Sequence, residues 1–262
     1  MSGLKFVKAE ACGNDFLIVD AALMGADAAA RTQRLCDRHR GIGADGVEWV
    51  TMHHDGAVEA RLFNADGSEA EISGNGTRCV AAWTVEARGG SEVRVRTAAG
   101  EKECMLLRRD GNEFHFLTEM GHAEVIGEKT VAFSGVAATG VAISTGNPHF
   151  VELVEAFPSN WQARAAAIAA SPQFPNGTNV EFVRIAGRNI VEFRIFERGA
   201  GETQSSGTGS CASAIAAIRA GKVVSPVEVR APGGTQVVHW DGADALLLEG
   251  PARLVCRGEF LL

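Results

Sequence analysis

The apolar residues of this chain fall in short strand-like runs broken by polar turns, with few stretches long enough for a helix. In the first half such runs lie at Lys5–Ala9, Phe16–Asp20, Val58–Phe63 and Val93–Arg96. In the second half they lie at Val141–Ser144, Val180–Ile185, Val191–Phe196 and Val227–Arg230. Helices are predicted over Ala28–Arg40 and over Pro158–Ala170, the latter with a proline near its start and many alanines. Two further helices, at about Gly76–Arg88 and Gly209–Ala220, close a shared sequence of strand, polar loop and Ser-Gly-x-Gly. Many strands and few long helices predict an α+β protein.

The pattern recurs because the sequence does. Residues 58–76, VEARLFNADGSEAEISGNG, laid on residues 191–209, VEFRIFERGAGETQSSGTG, agree at 8 of 19 positions at an offset of 133. The same offset carries Gly13-Asn14 onto Gly146-Asn147, and 133 is half of the 262 residues. Two separated segments in one register point to two homologous, pseudo-symmetric half-domains, 1–130 and 131–262, each a curled sheet around a helix.

Composition narrows the function classes. Apolar content of 46% and charged content of 22% are those of an ordinary globular chain. A net charge of −7 argues against nucleic acid as a partner, which needs a basic face. No apolar run reaches the roughly 20 residues that span a bilayer, and the first residues lack the apolar core of a secretory leader. The six cysteines (Cys12, Cys36, Cys79, Cys104, Cys211 and Cys256) have neither CxxC pairs nor metal-ligand spacing. They read as free thiols of a cytoplasmic protein without a metal site.

The loop-to-helix junctions carry the candidate chemistry. Ser73-Gly74-Asn75-Gly76 and Ser206-Gly207-Thr208-Gly209 let backbone N–H groups converge at a helix N-terminus, which suits an anion. Neither loop has the third glycine of a dinucleotide fingerprint or the lysine of a phosphate loop, so a carboxylate fits better than a nucleotide. One such loop is an ordinary capped turn. Two equivalent ones point to a carboxylate clamped in a cleft between the halves, with Ser73 and Ser206 approaching from opposite sides.

At these residues the chain resembles the diaminopimelate epimerase family, and the resemblance runs over essentially its full length. The matching motifs are Gly13–Phe16, Arg38–Gly46, Phe63–Ser68, Gly146–His149, Asn179–Phe182, Glu197–Thr203 and Gly250–Ala252. The resemblance implies a homodimer that interconverts LL- and meso-diaminopimelate, a small amino-acid substrate, with no cofactor. The five lysines all lie outside these motifs, so nothing points to pyridoxal phosphate. Carried over by motif, Asn14, Asn64, Asn147, Asn179 and Arg198 hold the substrate, the planar arginine fork suiting its distal carboxylate. Gly74, Asn75, Gly207 and Thr208 present donors to the reacting carboxylate, and His149 and Glu197 flank the reacting centre. Taken singly, Asn14 and Asn64 are turn residues, His149 is a packed histidine and Arg198 beside Glu197 is a surface ion pair. Their arrival together and in order favours function.

One departure matters. The family places a cysteine before each Gly-x-Gly, as thiolate base and thiol acid on opposite faces of the α-carbon; here Ser73 and Ser206 stand there. A thiol titrates near 8.5 and a serine hydroxyl far higher, a gap of about 4–5 pH units or roughly 6–7 kcal/mol. Without a compensating group, activity falls by several powers of ten. Cys79 and Cys211 sit within the following helices and read as small hydrophobes, and Cys12 is a weak substitute. Three readings stay open at this level: an engineered double Cys→Ser variant, a member with altered chemistry that uses His149 or Glu197 as base or takes another substrate, or an amino-acid-binding protein without turnover.

Overall fold

The computed structural model describes residues 3–133, 136–243 and 245–261. Its elements run β1 (Leu4–Ala11), β2 (Asn14–Asp20), α1 (Ala28–Cys36), β3 (Gly46–Met52), β4 (Val58–Asn64), β5 (Glu69–Ala70) and α2 (Gly74–Arg88). Then come β6 (Glu92–Thr97), β7 (Gly100–Asp110), β8 (Glu113–Gly121) and β9 (Glu124–Phe133). The chain continues with β10 (Val136–Ser144), β11 (Pro148–Leu153), α3 (Trp161–Ala169), β12 (Asn179–Gly187), β13 (Ile190–Glu197) and β14 (Gly201–Thr203). It ends with α4 (Gly207–Arg219), β15 (Val227–Ala231), β16 (Gly234–His239) and β17 (Leu246–Phe260). The α+β class predicted from the pattern is the class observed. The repeat is visible in the element starts: α1 and α3, and likewise α2 and α4, begin 133 residues apart.

The chain forms two compact units, 1–119 with 249–262, and 120–248. A division into 1–130 and 131–262 is therefore not the one that contacts give. The physical reason for the difference at the C-terminus is β17, which pairs antiparallel with β1, Leu4 facing Phe260 and Glu10 facing Arg253. At the other boundary, β9 pairs along its length with β10 and so belongs to the second unit.

In the first unit, β1 pairs with β2, β2 lies parallel to β3, and β3 pairs antiparallel with β4. β4 lies parallel to β6, followed by the antiparallel pairs β6–β7 and β7–β8. β17, bonded to both β8 and β1, closes the ring. The helix α2 fills it: Cys79, Val80, Ala81, Ala82 and Val85 pack with Ala9, Phe16, Val50, Leu62, Val95 and Phe116. A narrow centre admits a helix only if its side chains are small, which explains the alanines. β3 alternates as a strand must: Val47 and Trp49 pack with Leu35 and Cys36 of α1, while Val50 faces α2. Trp49 Nε1 donates to Thr32 Oγ1 of α1 at 3.1 Å. α1 stops at Cys36, short of the Arg40 that the pattern predicts. Asp37 leaves helical geometry, and its carboxylate accepts from the amides of His39 and Arg40 at 2.8 and 2.9 Å.

The second unit repeats the order. β10 pairs antiparallel with β9 and β11, and β11 lies parallel to β12. β12 pairs antiparallel with β13, β13 lies parallel to β15, and β15 pairs with β16. α4 packs against β11, β12, β13, β15 and β16. α3 covers the other face, with Trp161, Ala165 and Ile168 against Phe150, Val180 and Phe182. It begins at Trp161, not Pro158, because Pro158–Asn160 form the turn that leads in. Among the described residues, no helix is long and apolar enough to cross a membrane.

Gly140 on β10 lies under this core: a Cβ there would stand 2.4 Å from Val151 O and 2.7 Å from the Phe150 ring. Gly140→Ala is expected to destabilise the fold by about 1–3 kcal/mol through overpacking, measured as a lower urea midpoint at unchanged slope. A midpoint equal to that of the unaltered chain would contradict this packing.

Candidate active site

In the first unit Ser73 is extended (φ −124°) and caps α2, its Oγ accepting from Gly76 N at 3.1 Å. The whole first turn, Gly74 to Arg78, is buried. Asn75 donates through Nδ2 to Asn14 Oδ1 at 3.4 Å, and Asn14 donates to Asp45 Oδ2 at 2.8 Å. Arg38 bridges Asp45 and Asp15, and Lys8 reaches Asp15 at 2.8 Å. Burial pushes the Asp15 carboxyl up, but Arg38 and Lys8 outweigh it and hold it below its ordinary value. Asn64 lies apart from this network, its Nδ2 donating to Ser68 Oγ at 3.0 Å within its own hairpin turn.

Arg78, fully buried, is the charge behind that turn. It donates to Asn75 Oδ1 at 2.6 Å, Gly74 O at 3.2 Å and Pro251 O at 3.1 Å. All three acceptors are neutral, and among the described residues no carboxylate pairs with it. Its uncompensated positive charge adds to the helix dipole and makes the α2 N-terminus more attractive to an anion.

The second unit builds the same turn differently. Ser206 caps α4, accepting from Gly209 N at 3.2 Å. From it a chain of contacts runs inward. Ser206 Oγ lies 3.3 Å from Thr208 Oγ1, Asn147 Nδ2 donates to Thr208 Oγ1 at 3.3 Å, and His149 Nε2 donates to Asn147 Oδ1 at 2.7 Å. His149 Nδ1 meets Glu181 Oε1 at 2.6 Å with both side chains fully buried. Because Nε2 carries the proton that bonds Asn147, Nδ1 is the nitrogen that faces the Glu181 carboxyl. Burial raises the Glu181 carboxyl although His149 opposes the rise. Asn179 Oδ1 accepts from the Arg198 amide at 2.9 Å, Arg198 Nη1 donates to Asn176 O at 3.2 Å, and Glu197 Oε1 accepts from Thr203 Oγ1.

Two serine-capped, buried helix N-termini at one repeat offset form a distinctive pair, and comparison with known proteins is consistent with them. The profile described as "Diaminopimelate epimerase" matches residues 6–126 and 141–255. The chain belongs to the diaminopimelate epimerase family. It is 35% identical over 280 residues to a diaminopimelate epimerase of Pelotomaculum thermopropionicum, covering 98% of this chain and 99% of that one. It is 36% identical over 264 residues to one of Sphingopyxis alaskensis, with 97% and 96% covered. In fold it is similar to a hydroxyproline epimerase from Agrobacterium vitis (TM-score 0.72, 16% identity, 99% and 91% covered).

Within the family frame, two buried glutamates and Arg78 are what sequence reasoning missed. Glu48 and Glu181 stand 133 residues apart, each on the strand facing a capped helix. Each sits inside an apolar run, which is the signal that could have found them. Glu48, 3% exposed, receives no hydrogen bond or ion pair among the described residues. Burial pushes its carboxyl up to about 8. Cys79 and Cys211 are fully buried in their helices, and burial pushes the Cys79 thiol well above its ordinary value, so neither sits where a thiol base is exposed. Cys12 is buried in the β1–β2 turn with φ +53°.

The Glu48 carboxyl, raised from 4.5 to about 8, binds more protons folded than unfolded between those values. The Glu48 contribution to stability is therefore fully present below about pH 4.5 and declines as pH rises to about 8, by roughly 5 kcal/mol. Glu48→Gln is expected to flatten that decline in urea titrations at several pH values. An unchanged decline would show that Glu48 ionises freely.

Proposed function

We propose that this protein interconverts LL- and meso-2,6-diaminopimelate without a cofactor, by removing the α-proton on one face and delivering a proton on the other. What supports the reading is the pair of serine-capped helix N-termini repeated at one offset in a chain of this family. The amides of Gly74 and Asn75, and of Gly207 and Thr208, are donors for the reacting carboxylate, and Ser73 and Ser206 serve one face each. Donors fixed before the reaction stabilise the charge that develops as the α-carbon loses its proton. His149 is held in one orientation by Glu181 and Asn147, beside the Ser206 turn. In this reading Asn14, Asn64, Asn147 and Asn179 position the substrate with Glu197, and Arg198 takes the distal carboxylate. A homodimer in the cytoplasm belongs to the same reading, and light scattering on the purified chain checks the dimer.

The test is incubation with LL-diaminopimelate in deuterated water. Deuterium at the α-carbon together with appearance of the meso isomer supports the reading. Binding without incorporation would favour a binding protein without turnover. Incorporation only with another amino acid would point to an isomerase or lyase with a different substrate.

Arg198→Ala is expected to weaken diaminopimelate binding by about 2–5 kcal/mol and to leave almost unchanged the binding of an analogue lacking the distal carboxylate. Calorimetry on both ligands checks this, and equal losses would make Arg198 structural.

A further inference from the structure

Glu48 has no structural task that explains its presence. Its neighbours along β3, Val47 and Trp49, pack under α1, and Val50, two residues on, packs under α2. An aliphatic side chain would suit position 48 better, since an unpaired buried carboxyl is costly. The Cys79 thiol on α2 feels Glu48 together with Arg78, Glu10 and Cys12, whereas burial is what acts on Glu48 itself. None of them pairs with it among the described residues.

Its location is specific. A Cβ on Gly76 would stand 2.0 Å from Glu48 Oε1 and 3.2 Å from Ser73 Cβ, which puts that carboxyl oxygen within about 5 Å of the serine β-carbon. Rotation of Ser73 about χ1, or one water, closes such a distance. The equivalent position in the second unit repeats the device: a Cβ on Gly209 would stand 3.0 Å from Glu181 Oε1 and 3.1 Å from Ser206 Cβ. Both capping serines therefore have a buried carboxyl at their back, and the glycine between them is what lets it approach.

We propose that Glu48 is the proton store behind Ser73, allowing a hydroxyl to serve the α-carbon where a thiol would otherwise be needed; the inference rests on the epimerase reading above. In the acid direction the Ser73 O–H bond breaks and its proton forms the new C–H bond at the α-carbanion. The Glu48 carboxyl proton passes to Ser73 Oγ, leaving Glu48 as a carboxylate. In the base direction the α C–H bond breaks, the electron pair stays on the substrate, and the proton passes through Ser73 to the Glu48 carboxylate. Nothing else is consumed. Glu48 touches no substrate and acts through Ser73. Burial supports the role by placing its carboxyl near the operating pH, where proton exchange is most effective.

The rate of deuterium incorporation into LL-diaminopimelate, followed against pH and substrate concentration, tests this with the unaltered chain, Glu48→Gln, and Glu48→Gln combined with Ser73→Cys. The unaltered chain is expected to show a limb centred near pH 8. Glu48→Gln should lower kcat by about 10²–10⁴-fold at unchanged KM and remove that limb. Adding Ser73→Cys should restore exchange, because a thiol carries its own acid–base range. Glu48→Leu, suited to the apolar surroundings, repeats the test should the amide disturb folding. Undiminished exchange in Glu48→Gln, or no rescue by Ser73→Cys, overturns the proposal while leaving the epimerase reading intact. An unaltered chain that shows no exchange at any pH overturns both.

Discussion

A helix that starts inside a protein must place its first amides without the help of water. α2 and α4 both start that way, with their first turns buried and a serine oxygen taking the amide three residues on. Much else depends on that constraint. The loop before each helix must be extended at the serine, the next residues must be small, and the strands around each helix must leave room for a backbone surrounded on several sides. Asn14 and Asn147, at equivalent places in their units, turn their amide groups toward the second residue of those helices.

The two units share this scaffold and differ in what they load onto it. Where the second unit has His149, paired with Glu181, the first has Phe16, and Glu48 is left without a partner. Where the first unit has Arg78, buried on neutral acceptors, the second has Cys211. A duplicated frame thus carries an extra cation at one helix start and an imidazole–carboxyl pair at the other. The two serines are geometrically alike within their units and electrostatically unlike.

Much of this architecture is legible in the chain itself. The repeat, the α+β class and the strand-loop-helix ends of each half come from periodicity and from small residues at fixed offsets. α2 and α4 begin at Gly74 and Gly207, two residues before the expected starts, because a serine cap allows the glycines to be helical. The long strands β7 to β9 are not anticipated by the pattern: consecutive charges such as Glu101–Glu103 and Arg108–Asp110 in β7 and Glu128-Lys129 in β9 read as loop until the partners are known. Arg78 and Glu48 escape sequence reasoning for a related cause. A charged residue is ordinarily at the surface, so the apolar runs around these two are a weak signal until the closed ring around α2 shows them to be inside. The asparagines and His149 are identified by motif, and the structure adds the contacts that orient them.

β17 gives the chain an unusual order of completion. The first unit opens with Leu4 and cannot close its ring until Phe260 has been made, whereas the second unit is wholly encoded between residues 120 and 248. During synthesis, therefore, the middle of the chain can finish before its beginning. The N-terminal strands must wait, with β1 an open edge, for a strand that is made after the whole second unit. Such an edge is a template for pairing with another chain while it stays exposed. β17 thus acts as a clasp, and the time that it takes to arrive sets how long the first half stays vulnerable.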